Sequence, residues 1–146
     1  MVSATFLEKL YLGTLDESTL GSLEAEQDLD RVERIVDGFR EILRDYPPED
    51  VEMKARLPEG MLKRMGEAGL FGLSIPAEYG GLGLNVWEYM RVIERIVGLD
   101  ISAAMASLAH LSIGSKGIVL FGNEAQKRKY LTPAASGETI FSYALT

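Results

Sequence analysis

ISAAMASLAHLSIGSKGIVLF, residues 101–121, is the stretch whose reading decides the fold. Lys116 is its one charged residue, and apolar side chains fall on every side of a helical projection. A helix that is apolar nearly all round has little to offer solvent, so this one is expected to be central and buried. Asp100 stands where an N-cap belongs, and Gly122 closes the run. Gly114 and Gly117 are poor helix formers, costing roughly 1 kcal/mol each relative to alanine. That cost is tolerated where a neighbouring backbone or a ligand must come close.

Outward from this run the spacing predicts a helical bundle. On the N-terminal side, Asn85 with Glu88 three residues later has the pattern of a reciprocal cap. The helix it opens carries Val86, Met90, Ile93 and Val97 as its apolar stripe and ends at Gly98. Residues 71–84, FGLSIPAEYGGLGL, form a glycine-rich loop. It lacks the Lys-Ser/Thr ending of a phosphate-binding loop, so a tight turn is the better account of glycines 80, 81 and 83. Before it, a helix from Pro58 to Ala68 turns Leu62 and Met65 inward, with Gly69 as a left-handed cap. A longer helix, Glu24 to Tyr46, places Leu29, Val32, Val36, Phe39 and Leu43 on one face, and Pro47 and Pro48 stop it. Thr5 to Tyr11 makes a short amphipathic turn or two before Gly13.

On the C-terminal side, Asn123 and Gln126 repeat the capping pattern for a short helix to Leu131. Thr139, Ile140, Phe141 and Tyr143 are β-branched or aromatic and read as a strand. The fold class is therefore all-α, with one terminal β-strand. The expected divisions are an N-terminal extension over 1–23, a helical domain over 24–134, and a first strand of a further domain over 135–146.

Composition narrows the chemistry. There are no cysteines, which removes disulfides, thiolate nucleophiles and cysteine-ligated metals. Residues 1–50 hold 5 Lys or Arg against 13 Asp or Glu, a balance of −8, and the remainder is nearly neutral. An acidic first third repels phosphate backbones and anionic lipid, against nucleic acid or a membrane surface as its partner. No run approaches the ~20 apolar residues of a membrane span, so a soluble cytoplasmic protein is expected. His110 is the sole histidine, has no second ligand for a metal, and is read as a structural, hydrogen-bonded residue. Lys127, Arg128 and Lys129 suit the negative end of a helix dipole and read as a solvated face. Glu88 and Asp100 are explained as caps, and nothing in the chain is a convincing general base.

Three blocks in this order and at these separations resemble the acyl-CoA dehydrogenase family: LKRMGEAGLFGLSIPAEYGGLGLN (62–85), AHLSIGSKGIVLFGNEAQKRKYL (109–131) and ASGETIFSYALT (135–146). The opening residues are similar to the extension of its very-long-chain branch. The resemblance implies an N-terminal helical domain followed by a β-barrel-like middle domain and a four-helix bundle, with FAD between the last two. It implies that a carboxylate takes the α-proton of a fatty acyl-CoA thioester while the β-hydrogen leaves as hydride to flavin N5. Electrons then pass to an electron-transferring flavoprotein, or to oxygen in an oxidase-like relative. The family's catalytic glutamate has no counterpart here, so no catalytic residue is assigned.

By the same resemblance, Tyr143, Ala144, Leu145 and Thr146 contact the isoalloxazine ring, and Met105, Leu108, Ala109 and Ile113 line the acyl tail. Ordinary helix core is the competing reading of these last four. Large side chains there shorten the slot, and Leu108 is large where very-long-chain relatives tend to be small. Phe141 and part of the 101–121 helix would form an apolar patch if left uncovered, so self-association into a homo-oligomer is expected. A helical interaction module without activity is the alternative from a different functional class.

Overall fold

The computed structural model describes residues 6–14, 28–58, 60–142 and 144. After a short helix α1 (Phe6–Tyr11), the described elements are α2 (Leu29–Asp45), α3 (Pro48–Lys54), α4 (Met61–Glu67), a 3-10 turn (Ala77–Tyr79) and α5 (Val86–Leu99). Then come α6 (Ile101–Ala109), a π turn (His110–Gly114), α7 (Lys116–Phe121) and α8 (Glu124–Ala135). α5 lies between α2 and α6, α4 closes against α2, and α8 covers the 3-10 turn and α7. The fold is all-α.

The helix starts follow the capping residues. The Asn85 side chain accepts from the Glu88 N–H at 3.0 Å while Glu88 accepts from the Asn85 N–H at 3.0 Å. Asn123 and Gln126 form the same reciprocal pair, and Asp100 caps α6 by accepting from the Ala103 N–H at 2.6 Å. Gly69, at φ 78°, takes the left-handed position after α4. The N–H groups of Leu70 and Gly69 return to the carbonyls of Met65 and Gly66, the paired bonds of a Schellman end.

Helix rotations differ from the sequence stripes. In α2 the buried face is Val32, Ile35, Val36, Phe39 and Ile42, while Leu29 is 57% exposed and Leu43 half-buried. Neighbours on two sides, α4 and α5, make the apolar stripe broad and shift its centre. In α5 the buried set is Glu88, Val92, Ile93 and Ile96; Val86 and Met90 are exposed and Val97 is half-buried. Glu88 sets this rotation. Its second oxygen accepts from the Asp28 N–H at 3.1 Å, and Asp28 in turn caps α2 through the Arg31 N–H. One buried carboxylate thus ties the starts of two helices together.

Several boundaries also move. Pro48 begins α3 instead of only ending α2, its missing N–H being free of cost in a first turn. α4 starts at Met61, which with Met65 is fully buried, leaving Leu62 half-buried. α8 continues past Leu131 to Ala135 with Pro133 inside its last turn. The Glu24–Gln27 part of the expected long helix lies outside the described residues.

The loop 71–84 is part of the core. Phe71, Leu73, Ile75, Tyr79 and Leu84 are buried. Their backbone folds back on itself through Leu82 N–H to Gly72, Gly83 N–H to Ile75 and Leu84 N–H to Leu73. Gly81 sits where an added Cβ would collide with the Ile75 carbonyl. This is a turn built on backbone proximity.

Residues 101–121 differ from the expectation of all-round burial. Ala103, Ala104, Ser107, His110, Leu111 and Ser115 are buried, whereas Ile101, Met105, Ile113, Leu120 and Phe121 are exposed. The run is 21 residues with mean hydropathy 1.4, which meets the length and composition of a membrane span, contrary to the sequence reading. A core helix passes the same test, and this one packs a face on α5. Residues 139–142 pair with no strand; among the described residues no neighbouring ladder exists for them to join, and Phe141 packs on the helices instead. Tyr143, Leu145 and Thr146 lie outside the described residues.

Two substitutions check this architecture by denaturant unfolding. Glu88→Ala removes the acceptor of two backbone N–H groups and is expected to cost about 2 kcal/mol. Gly117 meets nothing within 4 Å of an added Cβ, so Gly117→Ala is expected to stabilise by about 0.5–1 kcal/mol.

Candidate functional site

The site is built on residues 101–114. The buried side is fixed by small or polar groups: Ala103 and Ala104 allow close approach, and the Ser107 hydroxyl donates to the Leu70 carbonyl. The opposite side presents the predicted acyl-wall positions. Met105 is 45% exposed and Ile113 57% exposed, with Leu108 and Ala109 half-buried between them. No Asp or Glu occurs between Ile101 and Phe121, so this face is apolar without a carboxylate of its own.

The helix changes character at His110. The Ser115 N–H donates to the His110 carbonyl at 2.8 Å, a spacing of five residues that defines a π turn. The His110 ring is fully buried, edge-on to Phe71 and stacked on Phe141 with ring centres 5.5 Å apart. Its Nδ1 accepts from the Phe141 N–H at 2.9 Å. An accepting Nδ1 puts the proton of the neutral ring on Nε2. Nε2 is buried without a partner in hydrogen-bond geometry. Burial pushes the imidazole below its ordinary value of 6.5, opposed by the nearby carbonyls of Ala134 and Phe71. The sequence reading of a structural, hydrogen-bonded histidine therefore holds.

Gly114 completes the seat of Phe141. A Cβ at Gly114 would stand 2.6 Å from the Phe141 Cβ, so the absent side chain is what lets the two backbones meet. This is the close approach expected of the helix glycines, and it occurs at Gly114 but not at Gly117. The Thr139 N–H bonds to the Pro133 carbonyl at 3.1 Å, so the segment crosses from the end of α8 onto the π turn. Of the four predicted flavin-contacting residues, Ala144 is described and is exposed. The structure thus brings the helix carrying the predicted acyl-wall positions and the segment 139–142 together at Phe141.

Sequence reasoning missed a cavity beside this face. Ser74, Leu84, Val86, Tyr89, Leu111, Ser112 and Lys116 line about 210 Å³ of space. The Tyr89 hydroxyl is buried without a hydrogen-bond partner, and burial raises its pKa. Ligand pockets usually hold about 300–1,000 Å³, so this cavity is too small for a whole acyl-CoA. Three separate segments build it, and no local motif announces it. Tyr79 is pushed up to about 12 by burial first and then by the carboxylates of Glu124 and Glu78. Its hydroxyl donates to Glu124 at 2.9 Å, pinning the glycine-rich loop to α8. The basic run is solvated, with Arg128 3.8 Å from Glu124 and Lys129 over the Tyr130 ring. No cluster of potential metal ligands exists among the described residues.

The family profile described as "Acyl-CoA dehydrogenase, N-terminal domain" matches residues 30–138. The chain belongs to the acyl-CoA dehydrogenase family. A very long-chain specific acyl-CoA dehydrogenase of Macaca fascicularis is 41% identical over 130 residues, covering 88% of this chain and 19% of that protein. An acyl-CoA dehydrogenase of Bacillus anthracis complexed with FAD superposes with TM-score 0.65 at 35% identity, over 80% of this chain and 20% of that one. A chain in the structure of the electron transferring flavoprotein of Acidaminococcus fermentans gives TM-score 0.67 at 32% identity, over 81% and 32%. This chain therefore spans about a fifth to a third of these relatives.

The depressed His110 value sets a pH dependence. Below its ordinary 6.5 the unfolded chain takes up a proton that the folded ring resists. The stability gained from holding His110 neutral is fully present above 6.5 and is lost as pH falls toward the lower folded value. Urea unfolding at about pH 7.5 and about pH 5.5 should show a drop that is smaller in His110→Asn. Equal drops in both proteins would contradict the assignment.

Proposed function

We propose that this chain is the N-terminal helical part of an FAD-dependent acyl-CoA dehydrogenase acting on fatty acyl-CoA thioesters. The observation that carries the reading is the two-sided helix 101–114, closed by the core on one face and apolar and open on the other. Family membership and the FAD-bound relative support it.

The contribution of this chain is binding and exclusion of water. Met105, Leu108, Ala109 and Ile113 wall the acyl chain, where apolar contact stabilises by roughly 25 cal/mol per Å² removed from water. A dry, apolar wall also strengthens hydrogen bonds made to a thioester carbonyl elsewhere in the site. Ser142 and Ala144 are exposed, and Tyr143–Thr146 are read as the start of the flavin contact. When bound, FAD supplies the two-electron acceptor for the β-hydrogen. The base is not assigned to this chain, because the wall carries no carboxylate. An electron-transferring flavoprotein is the proposed acceptor, and a homo-oligomer and a cytoplasmic location are proposed with it.

The test is substrate oxidation by the full-length gene product with FAD. Acyl-CoA-dependent dye reduction is expected, and Met105→Trp should lower kcat/KM for a long acyl chain by at least about tenfold more than for butyryl-CoA. Absence of acyl-CoA oxidation would overturn the reading, and rapid reoxidation by air would replace it with an oxidase. Residues 1–146 alone are expected to show no substrate-dependent bleaching of added FAD.

A further inference from the structure

We infer that His110, seated with Gly114 around Phe141, is a positioning residue for the chain through Phe141, and through it for the flavin contact proposed over residues 143–146. The inference rests on the proposed role of residues 143–146. Its own support is geometric and independent of any ligand.

His110 and Gly114 occupy the first and last positions of the π turn. The widened turn is where the helix meets the incoming segment. Three contacts converge there: the Phe141 N–H on Nδ1 at 2.9 Å, the stacked rings, and the Phe141 backbone against Gly114. Each restrains a different freedom. The hydrogen bond fixes register along the segment, the stack fixes the side-chain direction, and the glycine fixes the distance of approach. Phe71 holds the imidazole from the other side. Ala109 and Ile113 flank this seat in sequence on the same helix, and Tyr143 follows Phe141 by two residues. A displacement of Phe141 is therefore expected to carry through two residues of chain to the proposed flavin contact.

A positioning residue differs from a core residue in what its loss moves. The distinction is whether its loss moves the flavin as well as the stability. The full-length gene product is compared as wild type, His110→Phe, His110→Asn and Gly114→Ala. Phenylalanine keeps a flat ring but has no acceptor, and asparagine retains an acceptor near the place of Nδ1. Gly114→Ala keeps the imidazole and presses a methyl group against Phe141, so it serves should His110→Phe fail to fold. FAD affinity, the visible flavin absorption band, exchange protection of the Phe141 amide and thermal unfolding are read in each.

In His110→Phe and Gly114→Ala the Phe141 amide should lose protection, the flavin band should shift, and FAD affinity should fall about tenfold, the scale of one lost buried hydrogen bond. His110→Asn should recover most of both flavin readouts. Wild-type affinity and an unshifted band in folded His110→Phe and Gly114→Ala, despite an unprotected Phe141 amide, overturn the inference and leave the proposed function standing. A wild-type protein that binds no FAD overturns the proposed function instead.

Discussion

Residues 101–114 must do two incompatible things: bury one face firmly enough to hold a helix in place, and keep the other apolar and open. The sequence meets the first demand with small residues and serines. Ala103, Ala104 and Ser107 let the helix sit close to its neighbours, and the Ser107 hydroxyl ties it to Leu70. Ile101, Met105 and Ile113 face outside, while His110 and Leu111 are the large side chains turned inward. Had Ile101, Met105 and Ile113 been turned inward as well, no open apolar face would remain. The rest of the structure arranges itself around this division, with α2 and α5 supplying the bulky core and the glycine-rich loop covering the helix from the side.

The π turn is where the two demands meet. An extra residue in the turn interrupts the regular ladder and lets a histidine face inward and accept a hydrogen bond from another segment. The irregular backbone coincides with the place where the His110 side chain bonds the Phe141 N–H. The neighbouring cavity with its unpartnered Tyr89 hydroxyl lies against the same turn through Leu111 and Ser112. Irregular backbone, a buried imidazole and a small cavity thus lie together.

What was legible in the sequence was what is local. The caps at Asn85, Asp100 and Asn123 follow from one side chain and a backbone N–H three residues on, and each is found as read. Family membership was legible from three ordered blocks. Rotations were not, because the inward face of α5 is set by Glu88 reaching the Asp28 N–H, a contact 60 residues away in sequence. The start of α3 at Pro48 was hidden by reading proline only as a breaker. All-round burial of 101–121 does not follow from its composition, which fixes how apolar a helix is but not how much of it its neighbours cover. At the site, His110 was recognised as structural but its partner, 31 residues on, was not. The strand expected over 139–143 needs a neighbour to pair with, and over 139–142 the chain bonds to the helical bundle instead.

The proposed acyl contact lies on the outer face of α6 and the π turn. Photo-crosslinking the full-length gene product with a fatty acyl-CoA carrying a diazirine in its chain, followed by peptide mapping, reads that contact directly. Adducts are expected at Met105, Ala109 or Ile113, suppressed by excess unlabelled acyl-CoA. Competable adducts confined to α2 or to α8, with none between residues 101 and 114, would contradict it.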